Sequence, residues 1–203
     1  QPVDQNIGVT QGWSSMKYRN TQGSKLETLS IPMEMAISRF SGGGRDFMQK
    51  LGQYRHMAMW IHARRARSAG RVDAGFFGKP SVRYSLDQAD MERFREGMYN
   101  VAKLHFAAGA KSVVTSIQGM PYLLGPDEVE KIRSASTDPK SYVAILSHLF
   151  GGCGMGREEN AVCNNRGRVY GVENLYMADA SMIPDNIGVN PQHTIMSLGM
   201  WVA

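Results

Sequence analysis

The stretch SHLFGGCGMG, Ser147–Gly156, holds four glycines within six residues, a cysteine and a histidine. Three kinds of site use such a sequence. They are a glycine loop that binds phosphate, a thiolate or metal site, and a catalytic histidine beside a tight turn. A phosphate loop needs glycines between a strand and an amphipathic helix, so the spacing of the glycines can be tested against that motif.

The glycine spacing argues against a phosphate loop. Gly152, Gly154 and Gly156 give G-x-G-x-G, whereas a dinucleotide-binding turn reads G-x-G-x-x-G and leads into an amphipathic helix. The residues that follow, REENAVCNN, lack the apolar stripe of such a helix. The sequence therefore does not predict a dinucleotide loop here.

The cysteines do not form a recognisable metal site either. His148, Cys153 and Cys163 lack the close ligand pairs of structural zinc sites, so no metal is expected. A Cys153–Cys163 disulfide is an alternative without further support, because two cysteines make no disulfide framework. Free thiols that pack as small apolar side chains are the favoured interpretation.

A catalytic histidine is the third interpretation. The glycine turn after His148 would let the backbone approach a ligand closely. Asn190, followed by Pro191, begins an apolar helical pattern near the end of the chain. Together His148 and Asn190 would supply a proton acceptor and a hydrogen-bond partner for a substrate hydroxyl. On spacing alone, a structural histidine and a simple helix cap remain the alternatives.

The order of elements predicts an α+β fold. The pattern DQADMERFREGMYNVAKLHFAAGA predicts a helix with Asp87 as N-cap and Gly109 just past its end. Around it lie two predicted strands, in KLETLSIPMEMAI and KSVVTSI, and a hairpin in SAGRVDAGFFGKPSVRYSL. HMAMWIH suits a helix or a strand. Because helices and strands do not alternate regularly, an antiparallel sheet with flanking helices is favoured over a doubly wound one.

Composition places few further limits on function. The chain has 203 residues, and 42% of them are apolar and 20% charged, as in ordinary globular proteins. No apolar run is long enough for a transmembrane segment and no signal peptide is evident, so we expect a soluble protein of the cytoplasm or periplasm. Five arginines between Arg55 and Arg71 could contact nucleic acid or anionic lipid, but a solvated face is favoured and no nucleic-acid partner is expected.

The C-terminal sequence resembles one protein family. From residue 147 onward the chain matches H-x-x-G-[TG]-C-x-M-G, then G-R-V-x-G-V-x-N-L-x-V-A-D-A-S-x-x-P, then G-V-N-P-x-x-T-I-M, with nearly every element in order. This is the signature of the glucose–methanol–choline (GMC) family of FAD-dependent oxidoreductases. The segment VRYSLDQADMERFREGMYNVAKLHFAAGA resembles the substrate domain of that family more loosely.

The resemblance implies roles for individual residues. His148 corresponds to the family's catalytic histidine, which takes the hydroxyl proton while hydride passes from the carbinol carbon to flavin N5. Asn190 corresponds to the second polar residue, which orients the same hydroxyl. The cofactor-binding positions implied are Asp179, Ala180, Val189, Asn190, Pro191 and Gln192.

Two features depart from the family pattern. His193 stands where the family is usually apolar or small, which makes it a candidate additional site residue or a solvent-facing one. Gly152 and Gly154 stand where the commonest form has threonine and arginine, so the turn carries fewer side chains.

The family's N-terminal dinucleotide unit has no counterpart in this sequence, and both chain ends look cut. We therefore expect a substrate-binding domain (partial) over 1–165 and the C-terminal strand and helix of an FAD-binding domain over 166–203. The missing N-terminal part of the same protein is the partner implied. The resemblance implies oxidation of a sterol, long-chain alcohol or sugar with FAD, by an oxidase or a dehydrogenase. The alternative is a folded, non-catalytic fragment that does not bind FAD by itself.

Overall fold

A computed structural model describes residues 2–3, 12–40 and 42–203. The chain divides into two compact units. The first unit comprises Gln1–Arg64 and Leu86–Ala144, and the second comprises Arg65–Ser85 and Ile145–Ala203. The expected division into a partial substrate-binding domain, 1–165, and the C-terminal part of an FAD-binding domain, 166–203, stays a prediction.

Small antiparallel sheets and helices make up both units. In the described ranges the strands are β1 Ser14–Ser15, β2 Ser24–Thr28, β3 Trp60–Arg64, β4 Arg71–Ala74 and β5 Pro80–Arg83. The α-helices are α1 Arg19–Gln22, α2 Met33–Ala36, α3 Gly44–Gly52, α4 Gln88–Ala107 and α5 Gln192–Val202. The 3-10 helices are Ile37–Arg39, Tyr54–His56, Phe76–Gly78, Pro126–Ser134, Pro139–Ser141 and Ala180–Met182. The predicted α+β class is thus confirmed.

The first unit is built on the sheet β1-β2-β3 and the long helix α4. Both strand pairs are antiparallel, and Leu26 lies opposite His62 in the register. Helix α4 begins as predicted, because the Asp87 carboxylate accepts a hydrogen bond from the Asp90 backbone N–H at 2.7 Å. It ends near Gly109, which has a φ of 89° and so takes the left-handed conformation at the predicted C′ position.

The core of this unit lies between α4 and the 3-10 helix Pro126–Ser134. Its buried members are Tyr99, Ala102, Ile117, Leu124 and Ile132. Pro126 opens the 3-10 helix and Asp127 lies in its first turn, in line with the preference of proline and of acids for a helix N-terminus.

A buried histidine joins the sheet to α4. The His62 ring lies 4.4 Å from the Phe94 ring, measured between centroids, and occupies the space beside Gly97. Neither ring nitrogen of His62 has a hydrogen-bond partner in the part of the chain that the structure describes. Burial, and secondarily the charge of Arg64, lower the pKa of His62 to about 4. His62 is therefore neutral at physiological pH and packs as an aromatic side chain.

Replacing Gly97 by alanine tests this contact. The added methyl carbon would lie 2.4 Å from His62 Nδ1, so the buried ring must shift. We expect a net loss of about 1–2 kcal/mol in the free energy of unfolding, since overpacking outweighs alanine's better helix propensity. Gly52→Ala is the matched control, because nothing lies within 4 Å of its added methyl. Equal urea midpoints for the two variants would contradict this account.

The neutral His62 also predicts how stability depends on pH. The unfolded chain binds a proton near the ordinary pKa of histidine, whereas folded His62 binds one only near pH 4. The unfolded state therefore holds more protons between these values, and stability falls as the pH falls. We expect a loss of about 2 kcal/mol between about pH 7 and about pH 5.

Urea unfolding at several pH values measures this dependence. His62→Leu should remove most of it, with a smaller part left to His105, whose pKa burial also lowers. His56→Leu, at an exposed position, is the control that keeps it. An unchanged pH dependence in His62→Leu would show that other groups cause it.

The second unit contains the hairpin β4–β5 and the C-terminal residues. The hairpin is predicted correctly, but Phe76 and Phe77 lie in its turn rather than on a strand. The buried core consists of Cys163, Val169 and Met182, and Leu198 and Val202 of α5 pack against it. These two helix residues belong to the predicted apolar face.

Two further segments can be compared with their predictions. HMAMWIH, which suited either element, ends in strand β3. The predicted strand in KSVVTSI is wrong, because only isolated antiparallel bridges form there, from Val113 to Leu124 and from Ile117 to Tyr142. Ser116 explains the interruption, since its φ of 54° turns the backbone out of the extended conformation.

Candidate functional site

The glycine-rich stretch pairs with a segment about thirty residues further along the chain. The backbone N–H groups of Gly151, Cys153 and Met155 donate to the carbonyls of residues 183, 181 and 182, at 2.8, 3.0 and 2.8 Å. Gly151 has a φ of 76°, and an added Cβ would lie 3.0 Å from the Pro184 carbonyl oxygen. A glycine is required at this position because the two segments approach so closely.

The other two glycines of the turn are under less constraint. A Cβ at Gly152 or Gly154 would make contacts of 3.7 and 3.6 Å, which are ordinary van der Waals distances. These are the positions where the family pattern commonly has threonine and arginine. The backbone therefore leaves room for side chains that this sequence does not use.

His148 precedes this turn in a stretch, 143–150, without regular secondary structure. Its side chain is exposed, and so are the neighbouring Ile145, Leu146 and Leu149. The hydrogen bonds of Gly151 and Cys153 tether this stretch to the segment that follows Asp179. An exposed imidazole is accessible to a ligand.

Asp179 begins the 3-10 helix Ala180–Met182. Its Oδ1 atom accepts hydrogen bonds from the backbone N–H and the hydroxyl of Ser181, at 2.7 and 2.5 Å. These bonds fix the carboxylate, and its Oδ2 has no hydrogen-bond partner among residues 2–3, 12–40 and 42–203. Asp179 is exposed, so Oδ2 can accept a hydrogen bond from a hydroxyl group of a ligand.

The start of α5 differs slightly from its prediction. Asn190 was the expected N-cap and Pro191 the first helical residue, but the structure places Pro191 at the N-cap, with φ −90° and ψ 0°. The Pro191 carbonyl accepts from the Ile195 N–H at 2.8 Å, so the helix begins at Gln192. The N-cap residue Pro191 makes no side-chain capping hydrogen bond.

All the predicted site residues of the C-terminal part lie in one compact unit. Within it the structure joins the His148 stretch to the Asp179 segment, and it packs α5 against the core that Met182 belongs to. Val189 and Asn190 are half-buried before the helix, whereas His193 is exposed on its first turn. The convergence of His148 and Asn190 on one substrate remains a prediction.

Sequence reasoning missed one glycine that this unit requires. Gly167 has a φ of 75°, and an added Cβ would lie 2.3 Å from the Met177 carbonyl oxygen. The Met177 N–H donates to the Gly167 carbonyl at 2.7 Å, which holds the two segments together. The glycine of the G-R-V motif was the signal in the sequence that could have identified this position.

The two cysteines behave as expected of free thiols. Cys163 is buried in the core of the unit and Cys153 is partly exposed, and they form no disulfide with each other. Burial, followed by the neighbouring Cys153, raises the pKa of the Cys163 thiol. A thiol with a raised pKa is a poor nucleophile, so Cys163 acts as a packing residue.

Most arginines of the basic segment have carboxylate partners. Arg64 lies 3.7 Å from Asp90, and the Arg65 and Arg71 side chains form ion pairs with Asp185 and Asp73, at 3.1 and 2.5 Å. The interpretation as a solvated face is therefore favoured for Arg65 and Arg71, whereas Arg64 and Asp90 form a buried pair. Among the described residues no helix has both the length and the apolarity that a membrane span needs.

Comparison with known proteins identifies the family. The family model of the C-terminal part of GMC oxidoreductases matches residues 66–199, which include the glycine-rich stretch and Asn190. The chain belongs to the GMC oxidoreductase family. Members of this family are generally FAD-dependent oxidoreductases.

Several curated proteins resemble the chain. An uncharacterized GMC-type oxidoreductase of Sinorhizobium fredii is 38% identical over 126 residues, covering 62% of this chain and 25% of that protein. A long-chain-alcohol oxidase of Arabidopsis thaliana is 27% identical, covering 94% of this chain and 28% of that protein. A cholesterol oxidase of Acinetobacter baumannii is 40% identical over 57 residues, covering 28% of this chain and 10% of that protein.

The chain spans about a quarter of the length of the first two of these relatives. No solved structure is significantly similar to it.

The geometry of the second unit fits an FAD molecule in two respects. The carboxylate of Asp179 is held in place and keeps an oxygen for the hydroxyl groups of a ribityl or ribose chain. The N-terminus of α5 is the positive end of the helix dipole, which favours an anionic group. Both features suit the cofactor that the family generally uses.

Proposed function

We propose that the chain is the C-terminal part of an FAD-dependent alcohol oxidoreductase, an oxidase or a dehydrogenase. The observation that carries this proposal is the family match over residues 66–199, which takes in both His148 and Asn190. The accessible position of His148 beside a glycine turn supports it. So does the fixed carboxylate of Asp179 in the same unit.

In this proposal the chain's own residues handle the substrate hydroxyl. His148 accepts the hydroxyl proton on an imidazole nitrogen, and the Asn190 side-chain amide hydrogen-bonds to the same oxygen and orients it. Bound FAD would supply the acceptor for the hydride that leaves the carbinol carbon. His193, exposed one turn into α5, is a candidate additional contact for the substrate.

Two parts of the second unit would hold the cofactor. Asp179 and Ala180 would contact its hydroxyl-rich chain through the carboxylate and the backbone. The backbone of 189–192, at the N-terminus of α5, would lie nearest its ring system. The positive dipole end of that helix favours negative charge. It would therefore stabilise the negative charge that the flavin ring gains on reduction.

The proposed substrate is an apolar alcohol, either a long-chain alcohol or a sterol, rather than a sugar. Two of the relatives are named for such substrates, a long-chain-alcohol oxidase and a cholesterol oxidase. Near the proposed base in the sequence, the side chains of Ile145, Leu146 and Leu149 are exposed and apolar. A sugar site would instead need several hydrogen-bonding side chains there.

The chain by itself is proposed to be inactive. It contains no G-x-G-x-x-G turn, which Rossmann-type flavoproteins use to bind the pyrophosphate of their cofactor. The second candidate is therefore a folded substrate-domain piece without a tight FAD site of its own. Flavin absorbance in equimolar amount with the purified 203-residue chain would contradict this statement.

Product analysis of the full-length protein tests the proposed function. The protein is incubated with octadecanol, cholesterol or glucose and an electron acceptor, and the products are identified by mass spectrometry. We expect the carbonyl product of octadecanol or cholesterol, lighter than its alcohol by two hydrogen atoms. Oxidation of glucose alone would reject the substrate class, and no carbonyl product from a broader panel of alcohols would reject the reaction.

A further inference from the structure

The hairpin β4–β5 carries an exposed apolar tip. Phe76 and Phe77 are adjacent in its turn, and their side chains are 90% and 96% exposed. Two neighbouring phenylalanines so fully in water are unusual, since aromatic side chains contribute more to burial than almost any others. The tip therefore indicates a contact that the described residues do not provide.

The turn that presents this tip has a defined conformation. The Gly75 N–H donates to the Lys79 carbonyl at 2.8 Å, and an added Cβ at Gly75 would lie 2.5 Å from that oxygen. Phe77 itself has a φ of 58°, in the left-handed region that a bulky residue rarely adopts. A bulky side chain is held in this unfavourable conformation at the outermost position of the hairpin.

The two faces of the hairpin differ in polarity. Val72 pairs with Val82, and Asp73 pairs with Ser81 in the next register position. Since side chains alternate across a strand, one face carries the valines and the other carries Asp73 with the arginines. Val72 and Val82 are 66% and 64% exposed, whereas Asp73 and Ser81 are partly covered. The valine face is thus exposed, and so are the Arg71 and Arg83 side chains of the other face.

The surrounding charge is strongly positive. Residues 65–85 contain five basic residues and one acidic residue, a net charge of +4, whereas the whole chain has +5. Asp73 is shared between Arg71 and Arg83, so this trio keeps a net positive charge. Lys79 follows the tip directly and is exposed.

We propose that the β4–β5 hairpin docks on an anionic phospholipid surface, with Phe76 and Phe77 inserted among the acyl chains. An anionic bilayer complements both properties of the hairpin, because its headgroups attract arginine and lysine while its interior accepts the aromatic tip. A neutral protein surface would match only the apolar part. This docking goes beyond the proposed reaction, and it would bring the protein to the phase in which long-chain alcohols and sterols dissolve.

Vesicle flotation of the full-length protein tests the docking. Vesicles of phosphatidylcholine with about 30% phosphatidylserine are compared with vesicles of phosphatidylcholine alone. We expect binding to the anionic vesicles and a reduction of about tenfold or more in the Phe76→Ser/Phe77→Ser double variant. Leu175→Ser is the matched control, an exposed apolar position of the same unit outside the hairpin, and it should bind as the unaltered protein does. Lys79→Glu should weaken binding through charge alone.

Tryptophan fluorescence distinguishes burial of the tip in lipid from burial against protein. Phe77→Trp should emit like an exposed indole without lipid and shift to shorter wavelength on anionic vesicles, whereas Leu175→Trp should not shift. A Phe77→Trp emission that is already blue-shifted without lipid would mean that the rest of the polypeptide covers the tip. A blue shift that depends on protein concentration would mean that a second copy of the protein covers the tip.

Either of those fluorescence results would overturn the proposal, as would equal vesicle binding by the double variant. Because the readouts are lipid binding and emission, a negative result leaves the proposed alcohol oxidation untouched. A failure to oxidise alcohols would equally leave the docking result in place.

Discussion

Replacing His148 by alanine in the full-length protein is expected to slow oxidation of the alcohol by about a hundredfold or more. The proposed role of His148 is to accept the hydroxyl proton, and alanine has no group that can do so. Stopped-flow measurement of flavin reduction under anaerobic conditions isolates this step from reaction with the electron acceptor. The loss should fall on the limiting rate and only weakly on the substrate concentration at half-saturation, since the exposed apolar neighbours of His148 remain.

His56→Ala is the matched control for this experiment. His56 is also exposed, but it lies in the 3-10 helix Tyr54–His56 of the first unit and has no proposed role in the reaction. Asn190→Ala should give an intermediate loss of about tenfold, because it removes orientation of the hydroxyl but leaves the base. If His148→Ala reduces the flavin as fast as His56→Ala does, His148 is not the base.

Replacing Leu124 by alanine is expected to cost about 3–5 kcal/mol in the free energy of unfolding. Leu124 is 0% exposed, packs in the core cluster with Tyr99 and Ile132, and exchanges backbone hydrogen bonds with Val113 at 2.9 and 3.0 Å. Loss of its side chain would leave a cavity that these paired segments cannot easily fill. The value lies in the upper part of the usual range for leucine because the side chain is completely enclosed.

Leu123→Ala provides a control at the adjacent residue. Leu123 is 45% exposed, so the same chemical change should alter the free energy of unfolding by only about 0.5 kcal/mol or less. Equilibrium unfolding in urea, followed by far-ultraviolet circular dichroism, gives both values. Equal losses for the two variants would mean that the core does not lie between α4 and the 3-10 helix Pro126–Ser134.

The sequence predicts helix ends and helix faces well, because these features depend on residues that are close together in the chain. Asp87 caps α4 and Gly109 ends it, because capping is an interaction within one turn of the helix. The apolar face of α5 was also predicted, and its Leu198 and Val202 pack against the core. These elements have the periodicity of a single helix face, which a sequence displays directly.

Contacts between distant segments were not predictable in the same way. The pairing of Gly151 and Cys153 with residues 181–183 depends on backbone hydrogen bonds, which leave no pattern in side-chain types. His62 and Gly97 are in contact but lie in β3 and α4, far apart in the sequence. A single histidine and a single glycine do not signal such a contact. KSVVTSI has the composition of a strand, yet Ser116 adopts the left-handed conformation and interrupts it, and strand composition does not reveal such a residue.

The candidate site was predicted by family resemblance rather than by residue chemistry. Spacing alone left His148 as one isolated histidine and Asn190 as a residue before a helix. The structure adds that backbone hydrogen bonds tether the His148 stretch to the Asp179 segment. This tether is consistent with a ligand at this end of the unit, and it is not visible in the sequence.

Anaerobic addition of a long-chain alcohol to the full-length protein tests the proposed function most directly. The protein should be purified with bound flavin, and its visible absorbance should bleach in proportion to the alcohol added, one alcohol for each flavin. The same addition to His148→Ala should bleach the flavin about a hundredfold more slowly. A full-length protein without flavin, or a flavin whose absorbance no alcohol changes, would contradict the account.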